Sequence, residues 1–181
     1  GFEGVPDLPN ELEYRRLGMA IATDDFEDAM IRLDRLPVAA ETPEAERWSR
    51  LGAQRLHRAA FMQMRNGEAS LSVVRAAVVA GERFIELVAG SEVSIEEALE
   101  DETLLPVAAS VAAGRQSIFM ADGDEENGRR AFEIYQSILV HRPRDGSVLE
   151  AGGDLGGLLG DDEFALECWR RLGSAAASGS K

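Results

Sequence analysis

Apolar residues recur at three- and four-residue intervals along almost the whole chain, and strict alternation of apolar and polar residues is absent. That pattern predicts an all-α protein. The first helix is expected over Asn10 to Ala22, with Asn10 as N-cap, and the second over Asp24 to Leu36, stopped before Pro37. A long third helix runs from Thr42 to Arg65, with Thr42 as cap and Pro43 in the first position. The turn Asn66-Gly67 leads to a fourth over Glu68 to Val88, which ends at Gly90. Ser94 and Glu97 are spaced as a capping box for a short helix from Ser94 to Glu100. Further helices are expected over Leu104 to Met120 and Asn127 to His141, and within Ser147 to Leu159 and Asp161 to Leu172. Residues 1–9 read as an extended lead-in and 175–181 as a flexible tail.

Helices joined by short turns suggest hairpins, and the chain repeats itself at a spacing of 34. Tyr14, Leu17 and Gly18 recur as Trp48, Leu51 and Gly52. Ala131, Tyr135 and Ile138 recur as Ala165, Trp169 and Leu172, with Ala29, Leu33 and Leu36 as a looser copy. Pro143 closes the hairpin that contains Ala131. A small residue on one helix admits a large one from its neighbour, and spacings of i, i+4 and i+7 hold both on one stripe. In these residues the chain resembles the tetratricopeptide repeat family over 10–36 and 126–172, and in part over 43–65.

The resemblance implies a right-handed α-solenoid of about four antiparallel hairpins over 10–174, with longer, irregular helices in the middle. It also implies a concave helical face that binds a peptide segment of a partner. Some members of the family clamp a chaperone's terminal carboxylate with Lys and Asn. The matching positions here are Arg15 and Met19, Ser49 and Ala53, and Glu150 and Asp154, so that ligand is not expected.

Length and charge narrow the function further. A chain of 181 residues fits one domain or one short repeat array. Its 33 acids against 19 bases give a net charge of -14, which excludes a nucleic-acid binder or a polybasic membrane anchor. No apolar run reaches the roughly 18–20 residues that span a bilayer. The N-terminal residues do not read as a secretory signal, and the start at Gly1 suggests processing or excision. The compartment stays open, with the cytoplasm favoured over the periplasm. Eighteen of the bases are Arg, and the one Lys is Lys181, so no internal Lys is present for Schiff-base or phosphate-loop chemistry.

The candidate partner-binding residues are Arg47, Arg50, Arg55, Arg58 and Arg65 on the third helix. At 100° per residue Arg47, Arg58 and Arg65 fall nearly on one line. Guanidinium forks there suit an acidic peptide or a carboxylate; the alternative is a solvated face paired with acids such as Glu44 and Glu46. Gly152, Gly153, Gly156, Gly157 and Gly160 lack the Lys-Ser or Lys-Thr of a phosphate loop and suggest close helix packing. The acidic loop 122–126 lacks EF-hand spacing and offers a helix cap in Asp124 or Asn127.

The two histidines, His57 and His141, have no metal-ligand spacing, and the lone Cys168 lies on an apolar stripe with Ala165, Trp169 and Leu172. Trp48, Tyr135 and Trp169 read as core knobs. No catalytic constellation, metal site or cofactor is expected. The reading that follows is a non-enzymatic interaction module or adaptor for a protein or peptide partner. The alternatives are a self-assembling scaffold, including a homo-oligomer, or a regulatory domain of a larger protein.

Overall fold

A computed structural model of the chain describes residues 8–38, 42–67, 69–90 and 92–178, the side chains of 175–178 excepted. All regular structure among them is helical, as the apolar periodicity predicts: α1 (Leu8–Ala22), α2 (Phe26–Asp34), α3 (Pro43–Arg65), α4 (Leu71–Ala89), α5 (Ile95–Ala98), α6 (Leu105–Asp122), α7 (Glu125–His141), α8 (Gly146–Leu159) and α9 (Asp162–Ser178). Of the expected lead-in, residues 1–7 lie outside the described residues. Helix α1 opens at Leu8 with Pro9 in its first turn, where Pro is tolerated, so Asn10 is inside the helix rather than its cap. Helix α9 runs on through the alanines 175–177, the best helix formers, to Ser178; the rest of the expected tail, 179–181, lies outside the described residues.

Caps fix most of the boundaries. Thr42 accepts from the Ala45 N–H, and Pro43 takes the first turn of α3. Ser94 and Glu97 form the reciprocal capping box of α5. Helix α4 starts later than expected, because Ser70 caps it by accepting from the Val73 N–H.

Three of the inter-helix turns share one design. Asp24, Gly123 and Gly160 are in the left-handed region, with φ of 57°, 77° and 83°. Each is followed by an Asp that caps the next helix: Asp25 onto Asp28, Asp124 onto Glu126 and Asn127, and Asp161 onto Phe164. Four residues after each cap comes a small buried residue, namely Ala29, Gly128 and Ala165. The acidic loop 122–126 is therefore one of these turns. Asp124 also accepts from the Asn127 side chain at 2.8 Å, and these bonds hold its carboxyl below its ordinary pKa.

The chain forms two compact units, Gly1–Val93 and Ser94–Lys181. In the first, α1 packs on α2 and α3, and α3 packs on α4. Leu17, Leu33, Leu36 and Leu56 fill its core beside Ala53, Ala60, Ala76, Ala77 and Ala80. The alanines let α3 and α4 approach closely, and the four leucines with Phe26 and Val73 supply the bulk. A Cβ on Gly52 would stand 2.7 Å from Leu36 Cδ1, so this glycine makes the room that Leu36 occupies. Arg83 of α4 donates to the Leu36 carbonyl just past the end of α2, and partial burial lowers its pKa.

In the second unit, α6 packs on α7, α7 on α8 and α8 on α9. Ile134, Tyr135, Ile138, Leu149 and Leu155 are buried there. The Tyr135 hydroxyl donates to Gln116 at 2.9 Å, and burial raises its pKa. The α8 glycines serve close packing: a Cβ on Gly153 would lie 3.1 Å from Cys168 Cβ, and one on Gly156 would lie 3.2 Å from both Phe132 and Phe164. The expectation for Trp169 needs correction. It covers Gly153 but is 42% exposed, because α9 packs chiefly on α8 and leaves its outer side to solvent. No helix among the described residues is long and apolar enough to cross a membrane.

Candidate functional site

Helix α3 is strongly two-sided. Ala45, Ser49, Ala53, Leu56, His57 and Ala60 are buried, and the opposite side carries Arg47, Arg50, Arg58 and Arg65, all exposed. Arg47, Arg58 and Arg65 lie within roughly 20° of one another around the axis, Arg50 stands about 60° to the far side, and Arg55 about 80° towards α1. The five arginines therefore share a helix but do not converge on one point.

An open groove of about 480 Å³ runs between α1 and α3. Tyr14, Ile21, Leu51, Ala59 and Met62 give it an apolar floor, while Gln54, Arg55 and Arg58 add polar groups. Arg55 and Arg58 are thus the arginines that line it. Arg47 stands beside it over the Trp48 ring, 5.9 Å from the centroid. The Trp48 and Tyr14 rings are 5.1 Å apart, and Arg55 lies 5.7 Å from the Tyr14 centroid. Two guanidinium groups so flank an aromatic pair, an arrangement that orients the cations. Gly18 makes room for it, since a Cβ there would come within 2.5 Å of Arg55 Nη1. Spacing alone identifies the Tyr14 and Trp48 match, but it does not reveal that both rings support arginines.

Electrostatics separate this face from other charged surface. Among the described residues none of these five arginines forms an ion pair, Glu44 and Glu46 included. Most arginines elsewhere hold carboxylates, as Arg129 does with Glu125 at 2.8 Å and Arg171 with Glu167 at 2.9 Å, Arg83 and Arg144 being exceptions among the described residues. A second hollow, of about 520 Å³ on α1 and α2, contains Arg16 and Arg32, but Arg32 reaches Asp28 at 3.1 Å and Arg16 reaches Glu13 at 2.6 Å. Its charges are spent within the chain. Arg15 and Met19 are exposed on α1, with Arg15 held by Glu11 at 2.5 Å, whereas Ser49 and Ala53 are fully buried. The second hairpin thus turns a different side to solvent from the first.

The remaining candidates do not gather into a site. His57 is buried and faces α4, with Nδ1 2.7 Å from the Ala77 carbonyl and its ring stacked on Phe61 at 6.0 Å. Burial lowers its pKa, with the Ala77 bond acting against that. His141 is exposed in the last turn of α7. Cys168 is buried, and burial raises its thiol pKa. The displaced carboxylates, Glu13, Asp101, Asp124 and Glu167, all lie below their ordinary values. No group of His, Cys, Asp and Glu among the described residues is arranged to hold a metal ion. No family model matches the chain, and no curated protein or solved structure matches it.

The sign of the His57 shift gives a prediction. With the folded pKa below the unfolded value near 6.5, the unfolded chain binds the proton first as pH falls. The contribution to stability is complete above about pH 6.5 and is lost as pH drops towards the folded value. His57→Gln, whose amide keeps a donor for Ala77, is expected to flatten this part of the pH–stability curve. Parallel decline of the urea midpoints of wild type and variant between about pH 7.5 and 5.5 would refute it.

Proposed function

We propose that the chain is a non-enzymatic protein-interaction module whose hairpins are short α-solenoid repeats of the tetratricopeptide kind, and that it holds a peptide segment of a partner protein at α3. The observation that carries this reading is the arginine face of α3, which pairs with no carboxylate of the described residues, beside an apolar groove in a chain of net charge -14. An arginine with no carboxylate partner keeps its hydrogen-bonding edges available for one from outside. Two members of the common turn design support the repeat assignment, because Asp25 and Asp161 stand 136 residues apart, four times the spacing of 34, while Asp124, at 99 and 37 residues from them, is off that spacing. On this reading the partner-facing side of the second hairpin is at Arg47, Leu51 and Arg58 rather than at the family's usual positions, which is supported by the burial of Ser49 and Ala53.

The test is capture from the native lysate by wild type and by an Arg47→Ala/Arg58→Ala/Arg65→Ala variant, at low and high salt. The expected result is a protein retained by wild type, lost from the variant and weakened by salt. Equal retention by both would remove α3 as the site.

A second reading, self-assembly, has its own support in Leu166 and Trp169, which lie one turn apart on α9 and are 62% and 42% exposed. It requires a molar mass that rises with concentration in light scattering.

A further inference from the structure

Building on the interaction reading, we infer that the occupant of the α1–α3 groove is an acidic amphipathic helix lying alongside α3. Charge selects the acid. Arg47, Arg55, Arg58 and Arg65 hold no carboxylate of the described residues, and the two that flank the Tyr14–Trp48 pair are oriented by the rings. A segment with carboxylates at these positions would gain charge-assisted bonds that the chain itself leaves unmade.

The chemistry of the floor selects the helix. Of the side chains lining the groove, Tyr14 and Gln54 alone carry an oxygen acceptor, and the others are apolar or are donors. The backbone carbonyls of α1 and α3 are bonded within their own helices. An extended segment laid on this floor would bury its N–H groups with few acceptors to meet them, at a cost for each one left unmade. A helix satisfies its backbone internally and presents only side chains, so aliphatic residues can sit on Ile21, Leu51 and Met62.

The register agrees. Arg47 and Arg58 are separated by about 16 Å along α3, and Arg58 and Arg65 by about 10 Å. A second helix alongside has the same rise, so its facing acids fall eleven and seven residues apart, in one order or the other according to direction. An extended segment would need them about five and three apart.

The experiment uses the full chain and fluorescently labelled peptides. One is a helix-forming 20-mer with Glu at positions 1, 8, 12 and 19, which serves both directions, and Leu on the adjoining face. A second has the same composition and helicity with the acids spread around the helix. A third is non-helical, with acids five and three apart. Anisotropy is expected to show the first bound at least tenfold more tightly than the others. Its preference should vanish in Arg58→Glu and return when the facing glutamates are replaced by Arg. Circular dichroism of the exposed-site variant establishes that it folds. Equal binding of the first two peptides would overturn the register, and tighter binding of the third would overturn the helix. Displacement of the first by single-stranded nucleic acid as readily as by unlabelled peptide would overturn a protein occupant. Failure of the whole interaction reading looks different: there, capture from lysate is indifferent to the triple Arg substitution. Capture that needs the arginines, with all three peptides silent, keeps that reading and overturns the helix.

Discussion

Leu33→Ala is expected to lower the unfolding free energy by about 3–5 kcal/mol, the upper part of the range for a buried leucine. The reason lies in what surrounds it. Leu33 is fully buried against Gly52, whose absent side chain already leaves the space that Leu33 and Leu36 fill. The buried cluster it belongs to includes Ala53, Ala60, Ala76, Ala77 and Ala80 of α3 and α4, which have no side-chain rotamers with which to move into a void. A cavity in such a setting stays open, and the cost of the void adds to the lost burial. Ile31→Ala on the same helix is the control. Ile31 is 51% exposed, and its removal should change stability by less than about 0.5 kcal/mol. Urea unfolding checks both, through the midpoint at constant slope. A Leu33→Ala loss no larger than the Ile31→Ala loss would show that the core of the first unit closes around the gap.

The helices and several of their caps are legible in the sequence because both signals are local. Thr42-Pro43 and the Ser94/Glu97 box state their function within four residues, and α3 and α5 begin where they say. The α4 start was less legible: the apolar pattern runs back to Glu68, while the cap that decides the boundary is Ser70. The turn design was half legible. Asp25 and Asp161 match by spacing, and Asp124 is one of two cap candidates in a run of acids, singled out over Asn127 by the left-handed Gly123 before it and the cap bonds it accepts.

Orientation is where spacing fails. Tyr14 and Trp48 match, but of the residues after them Arg15 is exposed and Ser49 is buried. Which side of α3 is buried depends on where α4 lies, and that is decided by the small residues Ser49, Ala53, Ala60, Ala76 and Ala77, each of which is equally at home on a surface. The arginine stripe follows from the same fact. It was visible as a line of charge, but whether acids neutralise it depends on side chains of neighbouring turns and helices, and Glu44 and Glu46 do not pair with it. Trp169 shows the converse: its spacing matches the buried Tyr135, but the element that would cover its outer side is not among the helices packed on α9.

Gly156→Val is expected to destabilise the second unit by about 2–3 kcal/mol, while Gly157→Ala, one residue on, stabilises it by about 0.5–1 kcal/mol. The two glycines look alike in sequence, and only their surroundings separate them. A Cβ at 156 meets Phe132 Cε2 and Phe164 Cδ1 at 3.2 Å and the Asp161 carbonyl at 3.4 Å. The phenyl rings are an edge-to-face pair with centroids 4.8 Å apart, so neither yields without breaking that contact. The carbonyl belongs to the backbone of the α8–α9 turn, where the Asp161 N–H donates to the Gly156 carbonyl at 2.8 Å. The branched side chain of valine therefore has no direction in which to relax, and it displaces the cap on α9 along with the rings. At Gly157 the nearest atom is Ala165 Cβ at 4.0 Å, and φ is not positive, so alanine fits without strain and adds its helix propensity. Gly156→Ala is the sensitive intermediate: its gain in propensity opposes contacts a few tenths of an ångström too short, and the net change should lie near zero. Thermal and urea unfolding of the three variants rank them. Equal stabilisation by Gly156→Ala and Gly157→Ala would mean that the Phe132–Phe164 pair gives way freely, and that the α8 glycines are not there to let the helices approach.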